Sequence, residues 1–140
     1  MLAWAACFWP SCAWPQVPTP VGLWIAYSDA TGKPEAQVRV EEKDGEFLGT
    51  VVKVLSMTDP HPLCERCEGA QRNQPIVGMT ILRGLRREGD GYGSGTILDP
   101  GDGRIYRCSA LLTEGGRKFE LRGYVGLPLF GRTQVWLRAH

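Results

Sequence analysis

Histidine is nearly missing from this 140-residue chain, which holds only His61, beside two cysteines, and His140, its last residue. A Ser-His-Asp arrangement would have to use one of the two, and neither sits on a rigid element, so nucleophilic hydrolysis finds no support. An excess of one charge is missing as well: 16 Lys and Arg face 15 Asp and Glu, for a net charge of +1. That balance removes any global electrostatic pull toward nucleic acid or an anionic membrane. The arginines run from Arg39 to Arg138 without forming a tight cluster, so they read as solvated strand faces. Long amphipathic helices are missing too. "ILRGLRREGDG" (81–91) has room for one helical turn, and Gly84 and Gly89 argue against more. Without helices there are no parallel crossover units, so any sheet is antiparallel.

The opening "MLAWAACFWPSCAWPQ" carries no charge, but it is shorter than the ~20 apolar residues that span a bilayer. Residues 1–16 read as a signal-peptide-like remnant, with Ser11-Cys12-Ala13 as a small-residue cleavage site. The basic start of such a segment is lacking, and Trp4, Trp9 and Trp14 are bulky for it.

What the chain has in quantity is punctuation, with 18 Gly and 10 Pro dividing it into short elements. Strands are predicted over 22–27, 36–42, 46–55, 76–83, 92–98, 104–112, 117–125 and 132–138. Over 36–42 the alternation is plain: Val38 and Val40 face one way, Gln37, Arg39 and Glu41 the other. Asp44-Gly45 marks a type I′ hairpin, where both central residues need positive φ. Asp90-Gly91, Asp102-Gly103 and Gly115-Gly116 mark the later turns. The connection over 56–75 is long for a compact domain, so it is either functional or tied down. Eight strands in a meander either expose two edges or close on themselves. Closure removes the edges, which predicts an all-β, eight-stranded antiparallel up-and-down barrel over 21–140.

Gly22-Leu23-Trp24 on the first strand, with an Arg on the last, resembles the lipocalin and calycin barrels. The resemblance implies that Trp24 plugs the closed end, with Gly22 beside it and Arg138, or else Arg132, stacked on the indole. "DATGKPEAQVRVEEKDGEFLGTVVKVL", "CERCEG", "PIVGMTILRGL", "GTILDPGDGRIYRC" and "LRGYVGLPLFGRTQVWLR" together resemble the bacterial family called domain of unknown function 2147. That likeness implies a small exported protein, periplasmic or secreted, with a lipocalin-like barrel. It brings no reaction with it.

"DPHPLCERCEG" (59–69) places His61, Cys64 and Cys67 within seven residues. Zinc favours Cys-x2-Cys, but no fourth ligand stands nearby. Redox dithiols sit at a helix N-terminus, and no helix pattern follows here. A Cys64–Cys67 disulfide needs only an oxidising compartment and is the favoured reading, with metal, redox and free-thiol alternatives left open. Cys108 alternates with Tyr106 and Ala110 and reads as a small hydrophobe.

Paired carboxylates such as Asp99 and Glu120 could meet at a barrel mouth, but nothing in their spacing singles them out. "GDGYGSG" (89–95) lacks the Lys and helix of a phosphate loop and reads as a hairpin. Ligand binding has more behind it. Trp24, Tyr92, Tyr106, Tyr124 and Trp136 offer aromatic surface to a pocket. Arg122 beside Tyr124 would suit an amphipathic anion such as a fatty acid. The opposite facing, in which Phe119, Leu121, Gly123 and Val125 fill the core while Arg122 and Tyr124 point out, is favoured over it. The sequence therefore predicts a non-catalytic binder of a small hydrophobic or amphipathic molecule, monomeric or weakly dimeric. It predicts no cofactor or metal, no nucleic-acid partner and no stable membrane insertion. The alternative is an envelope interaction module without an open cavity.

Overall fold

The computed structural model describes residues 2–11 and 17–140. The cleavage site expected at Ser11-Cys12-Ala13, and Trp14, thus lie wholly or mostly outside the described residues. Eight strands follow in order: β1 (Gly22–Tyr27), β2 (Pro34–Lys43), β3 (Glu46–Val54), β4 (Thr80–Glu88), β5 (Gly91–Asp99), β6 (Arg104–Thr113), β7 (Lys118–Tyr124) and β8 (Arg132–Arg138). Each pairs antiparallel with the next, and β8 returns to β1 through Trp24↔Arg138, Ile25↔Leu137 and Ala26↔Trp136, closing the barrel. Among the described residues the helical segments are three single 3-10 turns, and no helix is long and apolar enough to cross a membrane.

Two local expectations shift. The fourth strand starts at Thr80 rather than residue 76, because Ile76 donates its backbone N–H to Pro62 O and stays in the long connection. Its far end continues through Gly84, whose φ of 65° breaks the regular strand without ending it. The β4–β5 turn centres on Gly89-Asp90, one residue earlier than expected, since it is Gly89 that has positive φ. Asp44 and Gly45, with φ of 54° and 78°, form the hairpin the sequence announces.

Side-chain size is segregated along the barrel axis. In the closed half Trp24, Phe47, Tyr92 and Phe119 fill the interior, with Phe119 5.4 Å from Trp24 and 5.9 Å from Tyr92. Tyr92 meets Phe47 and Phe119 edge-on, the geometry aromatic quadrupoles favour. Toward the other end the inward positions carry smaller residues: Ala26, Ala36, Val38, Val51 and Gly123. Trp136 is the floor between the two halves, 6.1 Å from Phe119.

The closed end is latched by one residue. Arg138 lies 4.3 Å above the Trp24 ring and donates from Nε to Gly116 O, from Nη1 to Val21 O and from Nη2 to Thr19 O. Trp24 Nε1 donates to Pro20 O at 2.8 Å. Residues 19–21 are thereby strapped across the barrel bottom. This geometry accounts for the Gly-x-Trp spacing. Gly22 has φ of 140°, and a Cβ there would fall 2.6 Å from Arg138 Nη1, so only glycine lets the guanidinium settle on Trp24.

Candidate functional site

Small side chains in the upper half leave a cavity of about 370 Å³ that opens at the end opposite the latch. Its walls are apolar: Ala36, Val38, Val51, Ile81, Ile97 and Leu121, with Trp136 as floor. Ser56, Met57 and Ile76 of the long connection complete one side of the mouth.

Of the two options the sequence left for that connection, functional or tied down, the structure shows it tied down. Cys64 and Cys67 form a disulfide, with Cα atoms 5.4 Å apart and both residues buried. The two sulfurs are bonded to each other, as the favoured reading of the pair had it. The ring is short, and its loop-entropy contribution is about 2 kcal/mol. Backbone bonds from Cys64 N to Gln74 O and from Asn73 N to Cys64 O fold the segment back on itself. Arg66 then reaches Gly101 O, docking it on the β5–β6 turn that carries Asp99.

Polar groups gather at the mouth. Asp29, Glu35 and Asp99 line the mouth with one guanidinium, Arg132, whose nitrogens stand 3.9 Å from Asp29 and 3.7 Å from Asp99. Tyr106 also lines the mouth, its hydroxyl bonded to Asp102. Glu35 is reached by an oriented relay. Trp136 Nε1 donates to Gln134 Oε1 at 3.0 Å, and Gln134 Nε2 donates to Glu35 Oε2 at 2.9 Å. An indole can only donate, so it fixes which end of the Gln134 amide faces the carboxylate. Burial, and then the nearby Asp99, push the Glu35 carboxyl above its usual range, while bonds from Ser28 and Gln134 partly oppose the rise.

Glu35 faces this way because of a bulge. The β1–β2 register pairs Ala26 with Ala36 and Tyr27 with Pro34, leaving Glu35 as the extra residue. Leu55 N and Ser56 N both donate to its carbonyl, which holds the bulge against the end of β3. A bulge re-aims a side chain, and strict alternation from Val38 and Val40 would have turned Glu35 to solvent.

The sequence-predicted ligand residues separate into three groups. Tyr106 and Trp136 line the cavity. Trp24 and Tyr92 do not: they belong to the packed closed half. Arg122 and Tyr124 lie on the outer face of β7, because Phe119 and Leu121 take the inward positions. Arg122 instead bonds Pro128 O, Leu129 O and Thr133 Oγ1, pinning the β7–β8 loop from outside. Val125, expected to join the core in that facing, is 72% exposed, since β7 ends at Tyr124. The cation beside the cavity is thus Arg132, already facing two carboxylates, and the fatty-acid arrangement built on Arg122 falls away. Glu120 pairs with Lys118 at 3.4 Å and does not line the cavity with Asp99. Sequence reasoning missed Glu35 and Gln134. Gln134 was within reach, being two residues from the inward Trp136. Among the described residues no three His, Cys, Asp or Glu side chains converge as metal ligands.

Cys108 on β6 is free, fully buried, and its thiol is pushed up to about 12 by desolvation. The thiolate is the reactive form. Iodoacetamide at neutral pH should therefore modify the exposed Cys7 of the native chain and leave Cys108 untouched until denaturant is added. Peptide mapping that found Cys108 alkylated as fast as Cys7 would mean that this wall of the barrel opens readily.

The sequence matches the family described as "Uncharacterized protein conserved in bacteria (DUF2147)" over residues 22–138. The fold is similar to that of HP1028 from the human pathogen Helicobacter pylori, a protein described as belonging to the lipocalin family. The TM-score is 0.76 with 19% identity, over 88% of this chain and 84% of that one, a likeness of fold. No curated protein matches.

Proposed function

This chain belongs to the bacterial DUF2147 family, and from that premise we propose that it is an exported, non-catalytic binder or carrier of a small, largely apolar molecule held in the barrel cavity. The observation that carries the reading is the cavity itself: about 370 Å³, walled by aliphatic side chains and floored by Trp136, with polar groups confined to its mouth. Binding sites for small molecules have this composition, apolar walls with few placed polar groups. The lipocalin-like architecture supports the reading by analogy of fold. Export draws on two features. The Cys64–Cys67 bond belongs in an oxidising compartment. Trp4, Phe8 and Trp9 are exposed and pack on nothing in the barrel core, as a removable leader would. On this reading residues 1–16 are the leader, and the barrel over 21–140 acts as a monomer or weak dimer in the periplasm or outside the cell.

The test is a titration with the neutral fluorescent probe N-phenyl-1-naphthylamine. Saturable enhancement is expected for the native protein. It should be lost in Ala36→Phe, which fills the cavity from the β2 wall, while the thermal midpoint holds. Equal enhancement in the two proteins, or none in either, would refute the reading. A second reading, an envelope interaction module working through its exterior, draws on the exposed Val125, Leu127 and Leu129 of the β7–β8 loop. It predicts that substituting these three by Ser impairs a partner interaction while the probe titration stays unchanged.

A further inference from the structure

We propose that the cavity selects a cationic amphiphile, an apolar tail carrying a protonated amine or similar donor head, with Glu35 as the docking group for the head. The inference rests on the carrier reading above and names the chemistry of that same site.

Three features of the mouth converge on it. The first is charge. Of the ionised groups lining the cavity, three are carboxylates (Asp29, Glu35 and Asp99) and one is a cation, Arg132. Arg132 lies toward Asp29 and Asp99, and among the described residues Glu35 has no ion-pair partner; its carboxylate accepts from the neutral Gln134. An anionic head entering here would add a fourth negative charge above an apolar chamber, where water screens it poorly.

The second is direction. The Trp136–Gln134–Glu35 relay runs from the cavity floor up the inner wall, and every link has its donor and acceptor fixed by the donor-only indole. The relay supplies Glu35 with one donor and holds the carboxylate in place. A carboxylate accepts at about four lone-pair positions, which leaves acceptor capacity on Glu35 that a donor head can use. A carboxylate or sulfate head has nothing to offer it.

The third is construction. Glu35 sits at the mouth only because it is the extra residue of the β1–β2 bulge, gripped through its carbonyl by Leu55 and Ser56. A side chain on a bulge locked at both sides is held where the ligand must pass, and little ordering remains for binding to supply. A cation beside Glu35 also offsets its repulsion from Asp99 and Asp29, so the head gains from both terms.

The experiment compares three ligands with one tail: decylammonium, decanol and decanoate, titrated calorimetrically into the full-length protein. Decylammonium is expected to bind about tenfold tighter than decanol, the worth of one charge-assisted hydrogen bond, and decanoate more weakly than decanol. In Glu35→Gln the ammonium-over-alkanol ratio should fall to near unity, and in Asp99→Asn it should fall partway. With the native protein alone, the ratio should shrink as pH drops through the titration of Glu35, above its ordinary 4.5. Asp29, Asp99, Arg132 and Tyr106 are the other charged and titratable groups at the mouth, so the same pH series run on Glu35→Gln, where the dependence should vanish, assigns the effect to Glu35. Decanoate binding as tightly as decanol, or an ammonium preference untouched by Glu35→Gln, would overturn the head-group inference and leave the carrier reading standing. If none of the three binds and the neutral naphthylamine probe also fails, the carrier reading itself is lost, and the inference with it.

Discussion

Trp24→Ala is expected to lower the unfolding free energy by about 3–5 kcal/mol, the range for removing a large aromatic from a close-packed core. Trp24 is fully buried and has three kinds of partner: the Phe119 ring at 5.4 Å, the Arg138 guanidinium at 4.3 Å and the Pro20 carbonyl at 2.8 Å. Truncation opens a hole at the barrel bottom and strips Arg138 of the surface it rests on. The three carbonyls that Arg138 holds, at Thr19, Val21 and Gly116, would then be gripped less firmly. Trp24→Phe separates the contributions. It keeps most of the packing but leaves Pro20 O without its donor, a loss of about 1–3 kcal/mol. Urea denaturation of the two variants gives the ordering directly. A shift under about 1 kcal/mol for Trp24→Ala would mean that the latch does not hold the closed end.

Gly103→Ala is the second large effect, expected at about 3 kcal/mol. Gly103 has φ of 74°, which costs a residue with a Cβ about 1–2 kcal/mol. Its Cβ would also fall 1.8 Å from Arg66 O and 2.8 Å from Cys67 N, both backbone atoms of the disulfide loop. One of the two segments must move, and a forced shift in a packed contact adds about 1–3 kcal/mol. Gly45→Ala is the control. Its φ of 78° is nearly the same, yet nothing lies within 4 Å of the added Cβ. The difference between the variants isolates the docking of the loop on the β5–β6 turn. Because that turn carries Asp99 and the loop carries Met57 and Ile76, Gly103→Ala should also expose residues 56–75 to limited proteolysis. Equal costs at the two glycines, with an uncut loop, would show that the loop merely lies beside the turn.

Much of this architecture was legible in the sequence because it is written in local chemistry. Asp44-Gly45 sets a hairpin by its own φ preferences, whatever surrounds it. Val38 and Val40 define an inner face by period two. Gly22, Trp24 and Arg138 pointed to the closed end only through their resemblance to the lipocalin and calycin barrels, and the structure supplies the reason: a Cβ at Gly22 would meet the guanidinium that lies against the indole. These signals placed eight strands and a latch, and Cys64 with Cys67 pointed to the staple on the long connection.

The site was decided elsewhere. Arg122 and Glu35 show why: alternation along β7 left two facings for Arg122, the outward one favoured, and the packed barrel chose it by burying Phe119 and Leu121. Glu35 has the opposite history. Alternation along β2 turns it outward, and only the bulge, created by how β1 and the end of β3 meet β2, turns it in. A bulge is a mismatch in length between neighbouring strands, so no single strand encodes it. The cavity likewise depends on residues far apart in sequence: Ala36 and Trp136 line it from either side of Ala26, and Glu35 is bonded to Gln134, 99 positions on. The sequence by itself determined which residues form strands and where they turn. Only closure of β8 onto β1 decided which of those residues share an interior, because facing is a property of paired strands and not of one.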